Sequence, residues 1–121
     1  MENDIKYYPL THPQKAVWFN EKLHPDTSIS NIAATLKINS SVDFMLLEKA
    51  INIIIEKNDA LRLRFVEQDG VPKQYISEYT YKKIYFFDFS DKGIESLYEW
   101  DFQKTNIPFQ LIDSDLYYFA L

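Results

Sequence analysis

The chain has 121 residues, 46% of them hydrophobic and 17% aromatic, with two glycines and no cysteine. This length and composition predict one packed globular domain, and the absence of cysteine excludes disulfides and thiolate sites. The net charge of −5 argues against a nucleic-acid surface, which needs clustered Lys and Arg.

No apolar run approaches the ~20 residues of a membrane span, and the N-terminal residues are acidic where a signal peptide would be basic. The missing cysteines also fit a reducing compartment. We therefore expect a cytoplasmic protein that binds neither nucleic acid nor membrane.

The first third of the chain predicts a helix followed by a strand. Thr11 and Gln14 have the spacing of a capping box, so a helix should run from Thr11 to about Leu23. Its expected buried side holds Ala16, Val17, Phe19 and Leu23, with Trp18 beside them. Apolar residues then alternate with others from 32 to 38, which predicts a half-buried strand.

A central helix is predicted from Phe44 to Ile55. Either Asp43 alone or Ser40 together with Asp43 can cap its first turn. The residues expected on its buried side are Leu47, Ala50, Ile51 and Ile54. The residues expected on its solvent side are Glu48, Asn52 and Glu56.

After the central helix the apolar period falls to two, which predicts a strand through Leu61, Leu63 and Phe65. Its opposite face holds Arg62 and Arg64. One face of this strand is apolar and the other carries two cations, so we expect the two arginines to have acidic partners or a function.

The second half of the chain predicts three strands and a helix. Asp69-Gly70 predicts a hairpin turn, with Pro72 placing the return strand at a sheet edge or making its start irregular. Aromatic strands are predicted at 84–89 and 116–121. A helix capped by Ser90 or Asp91 should lie between them and end before Pro108.

The ionisable residues form no recognisable catalytic or metal-binding pattern. His12 and His24 lie at the two ends of the first helix without metal-ligand or triad spacing. Asp113 and Asp115 lie near turns, where solvated charge is the default interpretation. Composition and spacing alone therefore predict an α/β module with no visible catalytic or metal site.

The predicted strand at 116–121 reaches the last residue with no turn residue or charge to close it. An unpaired apolar strand templates association with another chain, so we expect a truncated domain and homo-oligomers formed through this strand. The alternative is a natural C-terminal strand paired within the sheet.

Two stretches resemble signatures of nonribosomal peptide synthetase condensation domains. Residues 11–18, THPQKAVW, resemble Ser-x-Ala-Gln-x-Arg-Leu-Trp, and residues 57–65, KNDALRLRF, resemble Arg-His-Glu-x-Leu-Arg-Thr-x-Phe. The positions that match or change mildly are Thr11, Gln14, Val17, Trp18, Asp59, Leu61, Arg62 and Phe65. Pro13, Ala16, Lys57 and Asn58 depart from the family pattern.

This resemblance implies half of the N-terminal lobe of a chloramphenicol acetyltransferase-like fold. Such a fold is an α/β arrangement, an α+β two-layer sandwich with a mixed sheet and about three helices. It implies a parent enzyme in which carrier proteins deliver thioesters on phosphopantetheine arms and an amide bond forms. The family's catalytic signature, His-His-x-x-x-Asp-Gly, does not occur in the 121 residues. We therefore expect no catalytic residue and no activity from residues 1–121 alone.

One role carries over by position. Arg62 matches the family arginine that pairs with the aspartate of the catalytic signature, so the resemblance implies that Arg62 supports that missing loop. A forked guanidinium suits such pairing. The alternative is that Arg62 is merely solvent-exposed, like Arg64.

Two other functions stay open. One is a small non-catalytic module that binds carrier proteins, and the other is part of an epimerization domain, which shares the fold and similar signatures. Because Met1 lies close to the first signature, we also expect the parent to begin with this domain. Its donor would then come from another protein or from an activated fatty acid.

Overall fold

The computed structural model describes residues 4–121, which contain one small sheet and three α-helices. The strands are β1 (Tyr8–Pro9), β2 (Leu63–Gln68) and β3 (Val71–Ile76), and the helices are α1 (His12–Leu23), α2 (Phe44–Lys57) and α3 (Ile94–Thr105). All strand pairs are antiparallel, in the order β1-β3-β2. The three α-helices agree in number with the prediction.

The β2–β3 hairpin forms where Asp69-Gly70 predicts it. Asp69 and Gly70 have φ angles of 51° and 76°, the left-handed conformation that tight hairpin turns require. Pro72 was predicted to place the return strand at a sheet edge or to make its start irregular. That prediction was wrong, because β3 is the central strand and is paired regularly from Val71. Proline is tolerated there because β1 pairs only with Lys73 and Gln74, so no bond to β1 is lost.

Helix α1 begins with the predicted capping box. The Thr11 side chain accepts from the Gln14 backbone, and the Gln14 side chain accepts from the Thr11 backbone. The prediction of its buried side was wrong, since Trp18 is buried whereas Phe19 and Leu23 are exposed. The sheet lies against the side of the helix that includes Gln14 and Trp18, one turn apart.

Helix α2 is capped by Asp43 alone, whose Oδ1 accepts from the backbone of Met45 and Leu46. The predicted division of its two sides was wrong in part. Asn52, expected in solvent, is 2% exposed, whereas Ile54, expected in the core, is 51% exposed. A polar side chain faces the rest of the protein here because it binds the backbone of a distant segment.

Three predicted strands are not strands in the described chain. Residues 32–38 pair with no neighbour, and Ile32 and Leu36 are 96% and 89% exposed. Residues 84–89 and 116–121 meet each other through a single parallel bridge, Tyr85 with Ala120. A strand needs a hydrogen-bonded neighbour along its whole length, and each of these segments pairs at one position or at none.

The strand predicted from Leu61 begins at Leu63, because a short 3₁₀ helix, Asp59–Arg62, precedes it. Helix α3 has Gly93 at its N-cap without a side-chain cap, so the prediction of Ser90 or Asp91 was wrong. The Ser90 hydroxyl bonds to Asp88 instead.

Much apolar surface is left uncovered by this arrangement. The apolar residues that are buried in the described chain are Leu10, Trp18, Ile55 and Ile84. Large side chains are exposed on all three helices, including Leu46, Tyr98 and Phe102. Within residues 4–121 no helix combines the length and the hydropathy of a membrane span.

Candidate functional site

The first signature meets the sheet through a chain of side-chain amides. Gln14 Nε2 donates to Gln74 Oε1 at 2.7 Å, and Gln74 Nε2 donates to the Pro9 carbonyl at 2.9 Å. Gln74 is 9% exposed, so its amide is satisfied away from bulk water. Gln14 therefore joins the start of α1 to both β1 and β3.

Trp18 joins the first signature to the second. It is 3% exposed and meets Phe65 of β2 edge to face, with 6.0 Å between ring centroids. Lys22 lies over the Trp18 ring at 5.1 Å and pairs with Glu67 of β2 at 2.8 Å. An apolar cleft of about 240 Å³ opens beside this contact, lined by Pro13, Gln14, Val17, Trp18, Phe65 and Leu111.

Arg62 ends the 3₁₀ helix that precedes β2, three residues before Phe65. Its Nη1 donates to the Ser77 carbonyl at 3.2 Å, and its Nη2 forms an ion pair with Asp59. Ser77 in turn donates from both its backbone nitrogen, at 2.9 Å, and its hydroxyl, at 3.0 Å, to the Arg62 carbonyl. The Arg62 side chain is 18% exposed, and its buried Nε has no hydrogen-bond partner among the described residues.

Arg64 is also mostly buried, which corrects the view of it as a solvent-exposed arginine. Its side chain is 24% exposed, and its Nη2 donates to Asp115 Oδ1 at 2.8 Å. Lys82 Nζ binds the other oxygen of the same carboxylate at 2.7 Å. Asp115 is therefore not a solvated charge as predicted; it is shared by two cations.

The ionisation of Asp115 and Arg64 follows from their contacts. Burial raises the pKa of Asp115, but the bonds from Lys82 and Arg64 outweigh it and hold that pKa below its usual value. Burial likewise lowers the pKa of Arg64, and the bond to Asp115 more than compensates. Asp115 and Arg64 therefore stay charged at neutral pH.

Asp113 contrasts with Asp115, because its side chain is 60% exposed. It lies 3.9 Å from Arg64 and accepts a hydrogen bond from the Tyr75 hydroxyl. Burial and this bond raise the pKa of Tyr75. The prediction of a solvated carboxylate thus holds better for Asp113 than for Asp115.

Asn52 binds the chain segment 79–84 to α2 in the manner of a strand partner. Its Nδ2 donates to the Lys82 carbonyl at 2.7 Å, and its Oδ1 accepts from the Lys82 nitrogen at 2.7 Å. Glu48, one turn earlier, accepts from the Tyr81 hydroxyl at 2.6 Å and the Ile84 nitrogen at 2.8 Å. These two bonds lower the pKa of Glu48.

Sequence reasoning missed these roles of Asn52, Lys82 and Asp115. One signal was present: Asn52 interrupts the apolar run from Ile51 to Ile55 at a position one turn after Glu48. A lone amide within an apolar helix favours a buried polar partner.

The two histidines lie at the ends of α1. His12 and His24 are both exposed, and the His24 ring lies 3.0 Å from the Asn20 carbonyl of its own helix. Across residues 4–121, no three His, Asp or Glu side chains converge as a metal site. The contacts described above fix and orient Arg62 and Arg64.

A family model described as a condensation domain matches residues 4–121. The match covers both stretches whose side chains meet at the hairpin.

Two curated relatives from Bacillus subtilis (strain 168) show the same similarity in sequence. Surfactin synthase subunit 1 is 42% identical over 98% of the chain, and one plipastatin synthase subunit is 38% identical over 94%. The chain spans only 3% and 4% of the length of these relatives.

Solved structures show the same similarity in fold. The starter condensation domain of rhizomide synthetase, also solved in complex with C8-CoA, matches with a TM-score of 0.86 at 24% identity. The first condensation domain of the CDA synthetase matches with a TM-score of 0.77 at 18% identity. The matches cover 95% and 88% of the chain but only 28% and 29% of those structures.

Proposed function

The chain belongs to the condensation-domain family, and on that premise we propose that residues 1–121 form a single truncated domain, the N-terminal part of a nonribosomal peptide synthetase condensation domain. We call the longer protein that would contain it the parent. The observation that carries the proposal is the family match over residues 4–121, in which both signatures meet on one hairpin. The exposed apolar residues of the helices support it, because a surface of that kind normally has a covering layer.

We propose that the parent forms an amide bond between a donor acyl or peptidyl thioester and an aminoacyl thioester. Residues 1–121 alone should have no turnover, since they lack the family's His-His-x-x-x-Asp-Gly signature. The exposed His12 and His24 match no position of that signature, so we assign them no catalytic role.

Within the parent, we propose that Arg62 holds the catalytic loop by pairing with the aspartate of the signature. The support is that Arg62 is mostly buried, its Nη1 is fixed by Ser77, and its Nε still lacks an acceptor among the described residues. A buried donor without a partner costs about 1–3 kcal/mol, which an incoming carboxylate would recover. Asp59 already neutralises Arg62 from the exposed side, so the second acid would share the guanidinium rather than meet a free cation.

Carrier proteins would be the partners of the parent, and their phosphopantetheine arms would bring the thioesters to the reaction. The cleft beside Trp18 and a second one beside Phe44 are lined mainly by apolar side chains. We propose that residues of the parent outside this chain hold the arm. We also propose that the parent is cytoplasmic, in keeping with the absence of cysteine.

The donor is proposed as a carrier-bound thioester, with an acyl-CoA as the alternative. The alternative draws on the starter condensation domain solved with C8-CoA, which is similar to this chain in fold. An epimerization domain and a non-catalytic carrier-binding module remain the other candidate functions.

The test is an assay of the parent with loaded donor and acceptor carriers, with the products identified by mass spectrometry. An amide product is expected, and Arg62→Ala should lower its rate about tenfold to a hundredfold, because a charged hydrogen bond contributes about 1.5–3 kcal/mol. Lys15→Ala, an exposed basic position on α1, is the matched control and should not change the rate.

The other outcomes identify the other functions. An isomerised amino acid without an amide would mean an epimerization domain, and carrier binding without any product would mean a binding module. A full rate for Arg62→Ala would refute the role of Arg62 while leaving the family function intact.

A further inference from the structure

Among the residues that the structure describes, backbone hydrogen bonds hold the segment 113–121 near its two ends. Near its start, the Asp113 nitrogen donates to the Phe65 carbonyl of β2 at 2.8 Å. At its end, the Leu121 nitrogen donates to the Tyr85 carbonyl at 2.7 Å, and the Phe87 nitrogen donates to the Leu121 carbonyl at 2.8 Å. Each of these two contacts is a single parallel bridge. The position of the stretch between them is therefore weakly specified.

The chain also changes direction between these two contacts. Asp113 has a φ of 50°, in the left-handed region, so the parallel pairing that begins at Phe65 and Ile112 does not continue. Asp115 lies just after this change of direction, with one oxygen bound to Arg64 of β2 and the other to Lys82. The carboxylate lies where the segment leaves β2 and heads for residues 85–87.

Each cation that binds Asp115 is itself fixed. Arg64 belongs to β2 and is paired with Tyr75 in the hairpin register. The backbone of Lys82 is bound on both sides by the buried amide of Asn52. Asp115 is thus held between the sheet and the segment anchored to α2.

From this geometry we propose that Asp115 is a positioning residue, and that its bonds to Arg64 and Lys82 set the register in which residues 116–121 meet residues 85–87. The link to the reaction rests on the proposed function, in which the catalytic loop follows this segment in the parent. A slip of one residue would turn every side chain of the segment to its opposite side.

The first test is amide hydrogen exchange on the 121-residue chain. Asp115→Asn keeps the shape of the side chain but weakens both charged bonds. It should speed the exchange of the Phe87 and Leu121 amides about tenfold or more, while the β2–β3 amides stay protected. Asp91→Asn, an exposed acid before α3, is the control and should change neither.

A second series of variants, at Lys82, tests the proposal in case Asp115→Asn does not fold. Lys82→Met should speed exchange at the same two amides, and Lys82→Arg should restore protection. Where Asp115→Asn does fold, adding Lys82→Met to it should have little further effect, because both changes break the same bond. Unchanged exchange at Phe87 and Leu121, or an equal rise at every amide of the chain, would overturn the proposal.

The reaction supplies a separate measurement. In the parent, Asp115→Asn should lower kcat for amide formation with KM unchanged, whereas a general loss of folded protein would lower the active fraction instead. If the unaltered parent forms no amide, the proposed function fails, and the exchange measurements still decide the role of Asp115.

Discussion

Replacing the buried amide of Asn52 should destabilise the fold more than any other polar change on α2. Asn52 is 2% exposed and makes four hydrogen bonds: it donates to the carbonyls of Glu48 and Lys82 and accepts from the Lys82 nitrogen and the Tyr79 hydroxyl. Asn52→Ala removes all four and leaves both backbone groups of Lys82 without their partner.

The expected cost follows from the groups that lose a partner. A buried donor or acceptor left unsatisfied costs about 1–3 kcal/mol, and the two Lys82 groups are the ones deprived here. Partial entry of water would lower the cost, so we expect a loss of about 2–4 kcal/mol in the free energy of unfolding. For a chain of this length that corresponds to a fall in Tm of roughly 10 °C.

The assay is urea unfolding followed by circular dichroism, with the midpoint and the slope both fitted. Asn39→Ala, at an exposed position before α2, serves as the matched control and should change the free energy of unfolding by less than about 0.5 kcal/mol. A loss below about 0.5 kcal/mol for Asn52→Ala would refute the claim that this amide anchors residues 79–84.

Three further predictions concern packing, pH and association. Trp18→Ala should cost about 3–5 kcal/mol in urea unfolding, because the ring is buried against Phe65, whereas the half-exposed Val17→Ala should cost far less; equal losses would contradict this. The pKa of Asp115 in the folded chain lies below its ordinary 3.8, since its two cations outweigh burial. Its contribution to stability is therefore complete above pH 3.8 and lost as the pH falls further, so urea midpoints should fall less steeply below pH 4 in Asp115→Asn. Finally, sedimentation velocity should show concentration-dependent association, because large apolar side chains such as Leu46, Tyr98 and Phe102 are exposed; a strictly monomeric species at high concentration would disprove it.

The features that sequence predicted well are those decided by neighbouring residues. The capping box of Thr11 and Gln14 and the turn at Asp69-Gly70 each need only groups within four residues, so the pattern specifies the geometry. The three helices follow for the same reason. Trp18 of the first family signature also packs on Phe65 of the second, a contact that no local pattern specifies.

The features that sequence missed depend on partners far along the chain. Residues 32–38 alternate as a strand should, but a strand forms only where another segment pairs with it. Asn52 was assigned to solvent because polar residues usually lie there, although the backbone of Lys82, thirty residues away, holds it inside. The pairing of Asp115 with Arg64 likewise crosses 51 residues and has no local pattern.

The measurement that tests the central claim most directly compares residues 1–121 alone with the parent in the same assay of amide formation, using equal concentrations of loaded donor and acceptor carriers. We predict an amide product from the parent and none above background from residues 1–121. Repeated turnover by the 121-residue chain alone would contradict the account.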